Sequence, residues 1–205
     1  MRGARHWDAR LHRIVGGLPD TPADRWLRRL TTAADHGRVW MAVGALLALR
    51  RGTPRRGALR GLAAMAVSSG LVNASIKPVV GRRRPALVTH PVHRLLHRSL
   101  TTHSFPSGHS SSAGAFVTGL ALECPPAGAA LAPLALAVGY SRVHVGVHYP
   151  GDVVAGLAVG AAVAASGRYW WPVRPATPGT TALSQRSGGD LTTVRSRVSR
   201  RRPGH

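Results

Sequence analysis

Between residues 39 and 167 the chain alternates apolar runs with basic loops, and this pattern specifies helices packed side by side across a bilayer. The runs are 39–49, 58–76, 110–122, 127–140 and 153–167, and the only charge inside them is Arg60. The first is short of the ~20 residues that a span needs. The second is long enough, and its small residues (Ala64, Ser68, Ser69, Gly70, Asn73, Ala74, Ser75) suit close helix contact better than a lipid-facing surface. Ser110, Ser111 and Ser112 read as the cap of the third helix, and Pro125-Pro126 as the turn before the fourth. The expected fold is all-α, an integral membrane helical bundle of about five transmembrane helices.

Two flanking segments read differently. Residues 1–36 place Trp7, Leu11, Ile14, Val15 and Leu18, then Trp26, Leu27 and Leu30, at helical spacing among Arg and His. They predict one or two amphipathic helices, parted at Pro19 and Pro22, lying at the membrane interface or packed on the bundle. Charge every few positions leaves no room there for the apolar stretch of a cleavable signal peptide. From Arg168 to residue 205 the composition is Arg, Ser, Thr, Pro and Gly, which predicts a basic disordered tail.

Charge narrows the partners. Against 28 Lys+Arg there are 7 Asp+Glu, a formal net charge of +21, and Lys77 is the single lysine. Guanidinium groups suit bidentate contact with phosphate. Nucleic acid is an unlikely partner on these grounds: its binding surfaces interleave basic residues with stacking aromatics, whereas here aromatics make up 5% and the charge sits at the ends of apolar runs. A membrane and a phosphorylated substrate remain. The basic loop 50–57 and the tail from 168 belong in the cytoplasm by the positive-inside rule, which puts loops 77–109 and 141–152 together on the extracytoplasmic face. An odd number of spans then leaves residues 1–36 on that outer face too. Loop 77–109 is itself rich in Arg, against the rule, and a bound phosphate would neutralise it. The lone Cys124 can form no intramolecular disulfide.

Three short stretches carry the chemistry. Ser141 to Asp152 places Arg142, His148 and Asp152 at offsets of 0, 6 and 10, in a chain whose only acids between Asp35 and Asp190 are Glu123 and Asp152. With Pro150 opening the fifth helix, Asp152 can turn back onto one nitrogen of His148 and leave the other as a nucleophile. Taken alone, Asp152 reads equally well as a helix N-terminal acid favoured by the macrodipole. His144 is a rival nucleophile without an evident partner. Pro106-Ser107-Gly108-His109 leads into the third helix, where backbone N–H groups can cradle an anion, the Ser107 hydroxyl adds a donor, and His109 is placed to act as a general acid. Lys77 and Arg84 converge if the chain bends at Gly81; Arg82 and Arg83 read as interfacial anchors. Two-metal phosphate cleavage needs several carboxylates, which this stretch does not supply, so fixed cations and a histidine nucleophile fit better.

Taken together, Lys77-(six residues)-Arg84-Pro85, Pro106-Ser107-Gly108-His109 and Ser141-Arg142-(five residues)-His148-(three residues)-Asp152 resemble the three-part signature of the type 2 phosphatidic acid phosphatase (PAP2) superfamily, with every position filled in order. The resemblance covers residues 77–152. It implies a multi-pass cell-membrane enzyme with its site at the outer face, a phosphohistidine on His148 oriented by Asp152, and His109 as acid. Lys77, Arg84, Ser107, Gly108, His109 and Arg142 would contact the phosphate, with neither metal nor other cofactor. Residues 37–167 would form the phosphatase domain. Within the family the chain resembles the small bacterial lipid-phosphate and prenyl-phosphate phosphatases, one class of which acts on decaprenylphosphoryl phosphoribose, and it departs from six-span members by lacking a clear extra N-terminal span. A lipid phosphate or diphosphate is the expected substrate. A phosphotransferase, a phosphatase of soluble phosphates and a non-catalytic phospholipid-binding protein are the alternatives, the last disfavoured because binding alone needs no His148, Asp152 and His109 set.

Overall fold

The expectation of an all-helical chain holds in the computed structural model, which describes residues 2–86, 90–96 and 102–173 and contains no strand among them. Two short helices, α1 (Arg2–Gly16) and α2 (Ala23–Ala33), come first, parted as the prolines predict. A 3-10 turn, Asp35–Gly37, leads into α3 (Arg38–Ala48). Then α4 (Thr53–Leu71) runs through a π-helical stretch, Val72–Ile76, into α5 (Lys77–Val80). The remaining long helices are α6 (Gly108–Glu123), α7 (Pro125–His144) and α8 (Pro150–Ser166). Two stretches, Thr53–Val80 and Pro150–Tyr169, are long and apolar enough to cross a membrane.

The central helix is α6, which packs on α4, α7 and α8. Its small residues let backbones touch. A Cβ on Gly160 would collide with the Ser111 carbonyl and one on Gly114 with that of Leu157; on Gly61 it would lie 2.7 Å from the Phe116 carbonyl. Trp40 and Phe116, with ring centroids 5.4 Å apart, fill the space between α3 and α6 together with Met65, Leu120 and Val138. Leu46, Val67, Leu136 and Val154 point outward from α3, α4, α7 and α8, an apolar exterior suited to lipid.

Ser110–Ser112 do not form the cap. The helix starts earlier, at Gly108, with Ser107 as N-cap, its Oγ 3.4 Å from the Ser110 N–H. Ser110 and Ser111 are fully buried, and the Ser111 hydroxyl pairs with that of Ser68 on α4.

Opposite charges tie the bundle at each end. At one end Glu123, where α6 stops, meets Arg60 at 2.9 Å and Arg56 at 3.3 Å, and the Trp171 ring lies 5.1 Å from the Arg60 guanidinium. At the other end Arg94 is fully buried; its Nε donates to Asp24 at 2.9 Å and its NH2 to the carbonyls of Leu18 and Pro19, also at 2.9 Å. The first two helices belong to this second end. They expose Trp7, Leu11, Ile14 and Trp26 while burying His12, Asp24 and Thr31. Exposed Arg10, Arg13, Arg25 and Arg29 stand beside these apolar groups, a mixed basic and apolar exterior suited to a bilayer interface. The predicted tail is described only as far as residue 173, and 174–205 lie outside the described residues.

Candidate active site

The three signature stretches meet at the end of the bundle that carries Arg94. The continuous helix of α4 and α5 ends at Gly81, whose φ of 61° belongs to the left-handed region that glycine adopts cheaply. The turn sends residues 82–86 back over the bundle, where the Ser104 N–H donates to the Arg82 carbonyl at 2.8 Å. Lys77 and Arg84 thereby line one cavity of about 570 Å3 with Gly108, His109, Arg142 and His148. Asp35 and Gly37 of the turn before α3, with Met65, Ser69, Gly70 and Asn73 along the continuous helix of α4 and α5, complete its wall.

Each polar group is held. Lys77 Nζ donates to Asn73 Oδ1 at 2.8 Å, and Arg142 NH1 donates to Thr31 Oγ1 at 2.6 Å. Arg142 occupies the last turn of α7, where the helix dipole favours a cation. Its carbonyl accepts from the His148 N–H at 3.2 Å, which ties the imidazole to the arginine through a tight turn with Gly146 at φ 75°. His148 is buried, with Nδ1 3.4 Å from Asp152 Oδ2 and Nε2 3.3 Å from Arg84 NH1. The first is an ion-pair distance, longer than a well-formed hydrogen bond. Burial, reinforced by the nearby charges of Arg142 and Arg84, pushes the His148 pKa down to about 3, against a pull upward from Asp152. The ring is neutral at physiological pH, the form a nucleophile requires.

Arg84 does more than wait for an anion. Its Nε donates to the Thr102 carbonyl at 2.8 Å, NH1 to the Val147 carbonyl at 2.8 Å, and NH2 to Thr102 Oγ1 at 3.0 Å. It therefore staples Thr102, ahead of the second stretch, to Val147 of the third, as well as facing His148. Burial lowers its pKa, with the Asp152 charge opposing, but a guanidinium remains protonated at working pH.

Asp152 satisfies both of its readings at once. At the third position of α8, Oδ2 accepts from the Tyr149 N–H at 3.0 Å while also facing His148. Its Oδ1 takes Arg82 NH1 at 2.8 Å, and Arg82 NH2 reaches Asp8 Oδ2 at 2.7 Å with its guanidinium over the Tyr149 ring. Arg82 is thus a partner of the carboxylate and not a membrane anchor; Arg83 is exposed.

The Ser107 side chain is fully buried, and its Oγ accepts from Ser110 Oγ at 3.0 Å and caps the helix. Ser107 still serves the site through its N–H, which donates to the Asp152 carbonyl at 2.9 Å. His144 does have a partner, Asp24 Oδ1 at 3.1 Å from its Nε2, and it stands outside the cavity wall. Gly108 does lie against the cations: a Cβ there would come within 3.5 Å of Lys77 Nζ. His109 Nε2 pairs with Asp35 Oδ1 at 3.0 Å.

Asp35, Asp8, Arg82, Asn73, Thr31 and Thr102 are the supporting residues that motif spacing missed. One signal does point to the aspartates: with so few acids and so many cations, each carboxylate has a strong electrostatic claim on a partner.

Comparison with known proteins agrees with this geometry. A family model described as the PAP2 superfamily matches residues 58–175. The chain is 42% identical over 99 residues to a lipid A 1-phosphatase of Rhizobium johnstonii, covering 46% of this chain and 40% of that protein. It is 34% identical over 140 residues to the decaprenylphosphoryl-5-phosphoribose phosphatase of Mycobacterium tuberculosis, covering 67% of this chain and 75% of that one. The chain spans about two fifths of the length of the lipid A phosphatases it matches. In fold it resembles the crystal structure of a transmembrane PAP2-type phosphatidylglycerolphosphate phosphatase from Bacillus subtilis, with a TM-score of 0.62 at 20% identity over 83% of this chain and 87% of the other.

Proposed function

The chain belongs to the PAP2 superfamily, and from that premise we propose that it is an integral membrane phosphatase that removes phosphate from a lipid phosphate or diphosphate through a phosphohistidine on His148, without a metal. The observation that carries this reading is the two-sided environment of His148, with Nδ1 toward Asp152 and Nε2 toward the cavity beside Arg84. In the first step Nε2 attacks phosphorus, the P–O bond to the lipid breaks, and the leaving oxygen takes a proton from His109. Lys77, Arg84 and Arg142 stabilise the charge spread over the equatorial oxygens, and the Gly108 backbone lets the phosphate approach closely. Water then attacks the phosphohistidine with His109 as base, which returns the enzyme. Arg84 NH1, now 3.3 Å from Nε2, finds its acceptor in the transferred phosphoryl group.

The cavity wall along Met65, Ser69 and Gly70 offers a lipid tail a path beside α4. The reading of the membrane is five crossings, α3, α4, α6, α7 and α8, with the site on the extracytoplasmic face. Two features support it. The helices α1 and α2 pack at the site's end of the bundle, while Arg56 and Arg60 pack at the other, so α3 carries the chain from one end to the other. Moreover α4, α6, α7 and α8 bring all three signature stretches to one face regardless of where α3 sits.

The test is phosphate release by detergent-purified protein in excess EDTA from a prenyl phosphate, a prenyl diphosphate and phosphatidic acid, alongside His148→Ala. Release that survives EDTA and vanishes in the variant is expected; a strict requirement for a divalent cation would remove the metal-free mechanism. Arg84→Ala should lose kcat and raise KM together, a loss of roughly 2–4 kcal/mol of transition-state stabilisation. Unchanged kinetics in that variant would leave Arg84 only its role as a staple.

A further inference from the structure

The Asp35 carboxylate comes from the turn before α3, outside the residues 58–175 that the family model matches, yet it lines the cavity and lies 3.0 Å from His109 Nε2. We infer that Asp35 is the positioning residue for the proton donor, fixing His109 so that Nδ1 delivers its proton to the leaving oxygen. The inference rests on the phosphatase reading and adds to it the origin of the proton donor's orientation.

A donor imidazole needs a proton on the nitrogen that faces the leaving group; with Nε2–H held by Asp35 that proton is the ring's second, so the donor is the imidazolium, which the adjacent carboxylate favours. With Nε2–H donating to Asp35, Nδ1 faces the substrate. As the P–O bond breaks, the Nδ1 proton passes to the alkoxide and yields the free alcohol; the ring is left neutral, with Nε2–H still on Asp35. Burial disfavours a charged ring at His109, and Arg142 and Lys77 add to that; the Asp35 carboxylate is the group that favours it. Local structure holds the carboxylate in place. Its own residue's carbonyl accepts from Arg38 Nε at 3.2 Å, and the next two residues, His36 (φ 57°) and Gly37 (φ 74°), turn the chain sharply beneath it. The site would then contain two imidazole–carboxylate pairs: His148 with Asp152 for attack, and His109 with Asp35 for departure.

The leaving group separates this role from a merely structural one. An alkyl phosphate expels an alkoxide that must be protonated, whereas 4-nitrophenyl phosphate expels a stable phenolate. In Asp35→Asn, kcat for dodecyl phosphate should fall roughly 10- to 100-fold with KM little changed, since general acid catalysis contributes on that order. The burst of 4-nitrophenolate that accompanies phosphohistidine formation from 4-nitrophenyl phosphate should stay within about threefold of wild type, which also reports that the variant is folded. Asp35→Glu should restore much of the alkyl rate, and Asp35→Asn should cost nothing further in a His109→Ala background. Equal losses in phosphohistidine formation from both substrates, or losses that multiply with those of His109→Ala, would overturn the inference. The proposed function fails separately: it falls if wild type releases no phosphate, or if His148→Ala matches wild type, whatever Asp35 does.

Discussion

His148→Ala should release no lipid phosphate above background, a fall on the order of 10^4-fold or more, while still binding inorganic phosphate. The size follows from the division of labour in the cavity. Lys77, Arg84 and Arg142 remain in the variant, so the anion is still held, while the other described imidazoles near the site are engaged elsewhere: His109 pairs with Asp35, His36 lies exposed on the turn before α3, and His144 faces Asp24 outside the cavity wall. Binding and turnover therefore separate. Phosphate affinity of the purified variant by calorimetry, beside phosphate release from a prenyl phosphate, measures both. Substantial residual turnover in folded protein would move the nucleophile elsewhere.

The second large effect is on folding. Gly160→Val should prevent recovery of monodisperse protein in detergent, because its Cβ would meet the Ser111 carbonyl and lie 2.6 Å from the Ala115 nitrogen, both backbone atoms of α6. Backbone cannot swing aside as a flexible side chain can, so the cost exceeds the ~1–3 kcal/mol typical of overpacking. The damage would reach the site, since α6 begins at Gly108 and α8 carries Asp152. Gly167→Ala is the control, because nothing lies within 4 Å of the added carbon and the expected change is close to zero. Size-exclusion profiles and thermal midpoints of both variants check this. A well-behaved Gly160→Val protein would mean that α6 and α8 are not as closely apposed as described.

The helical elements were legible because apolar runs bounded by charge, Gly and Pro specify them locally: the helix boundaries at Pro125 and Pro150 follow directly. That Lys77, Arg84, Gly108, His109, Arg142 and His148 belong together was legible for a different reason, since the motif fixes their order, and they line one cavity. What spacing could not reveal is whatever depends on a distant partner. Arg82 looked like an anchor because its two carboxylates lie 70 and 74 residues away in sequence. His144 looked unpartnered because Asp24 belongs to a helix that could equally have lain apart from the bundle. At Ser107 a capping hydroxyl and an anion donor have the same local sequence, and the capping bond shows only in the structure.

The first two helices have a consequence for how the molecule is made. Four of its seven acids, Asp8, Asp20, Asp24 and Asp35, fall in the first 36 residues, and they meet Arg82, Arg94, His109 and His144 of later segments. Because a ribosome works from the N-terminus, the anions leave the exit tunnel before the cations they will neutralise. When Arg82 and Arg94 are made, Asp8, Asp20 and Asp24 already exist to meet them, and of their carboxylate partners only Asp152 is still to come.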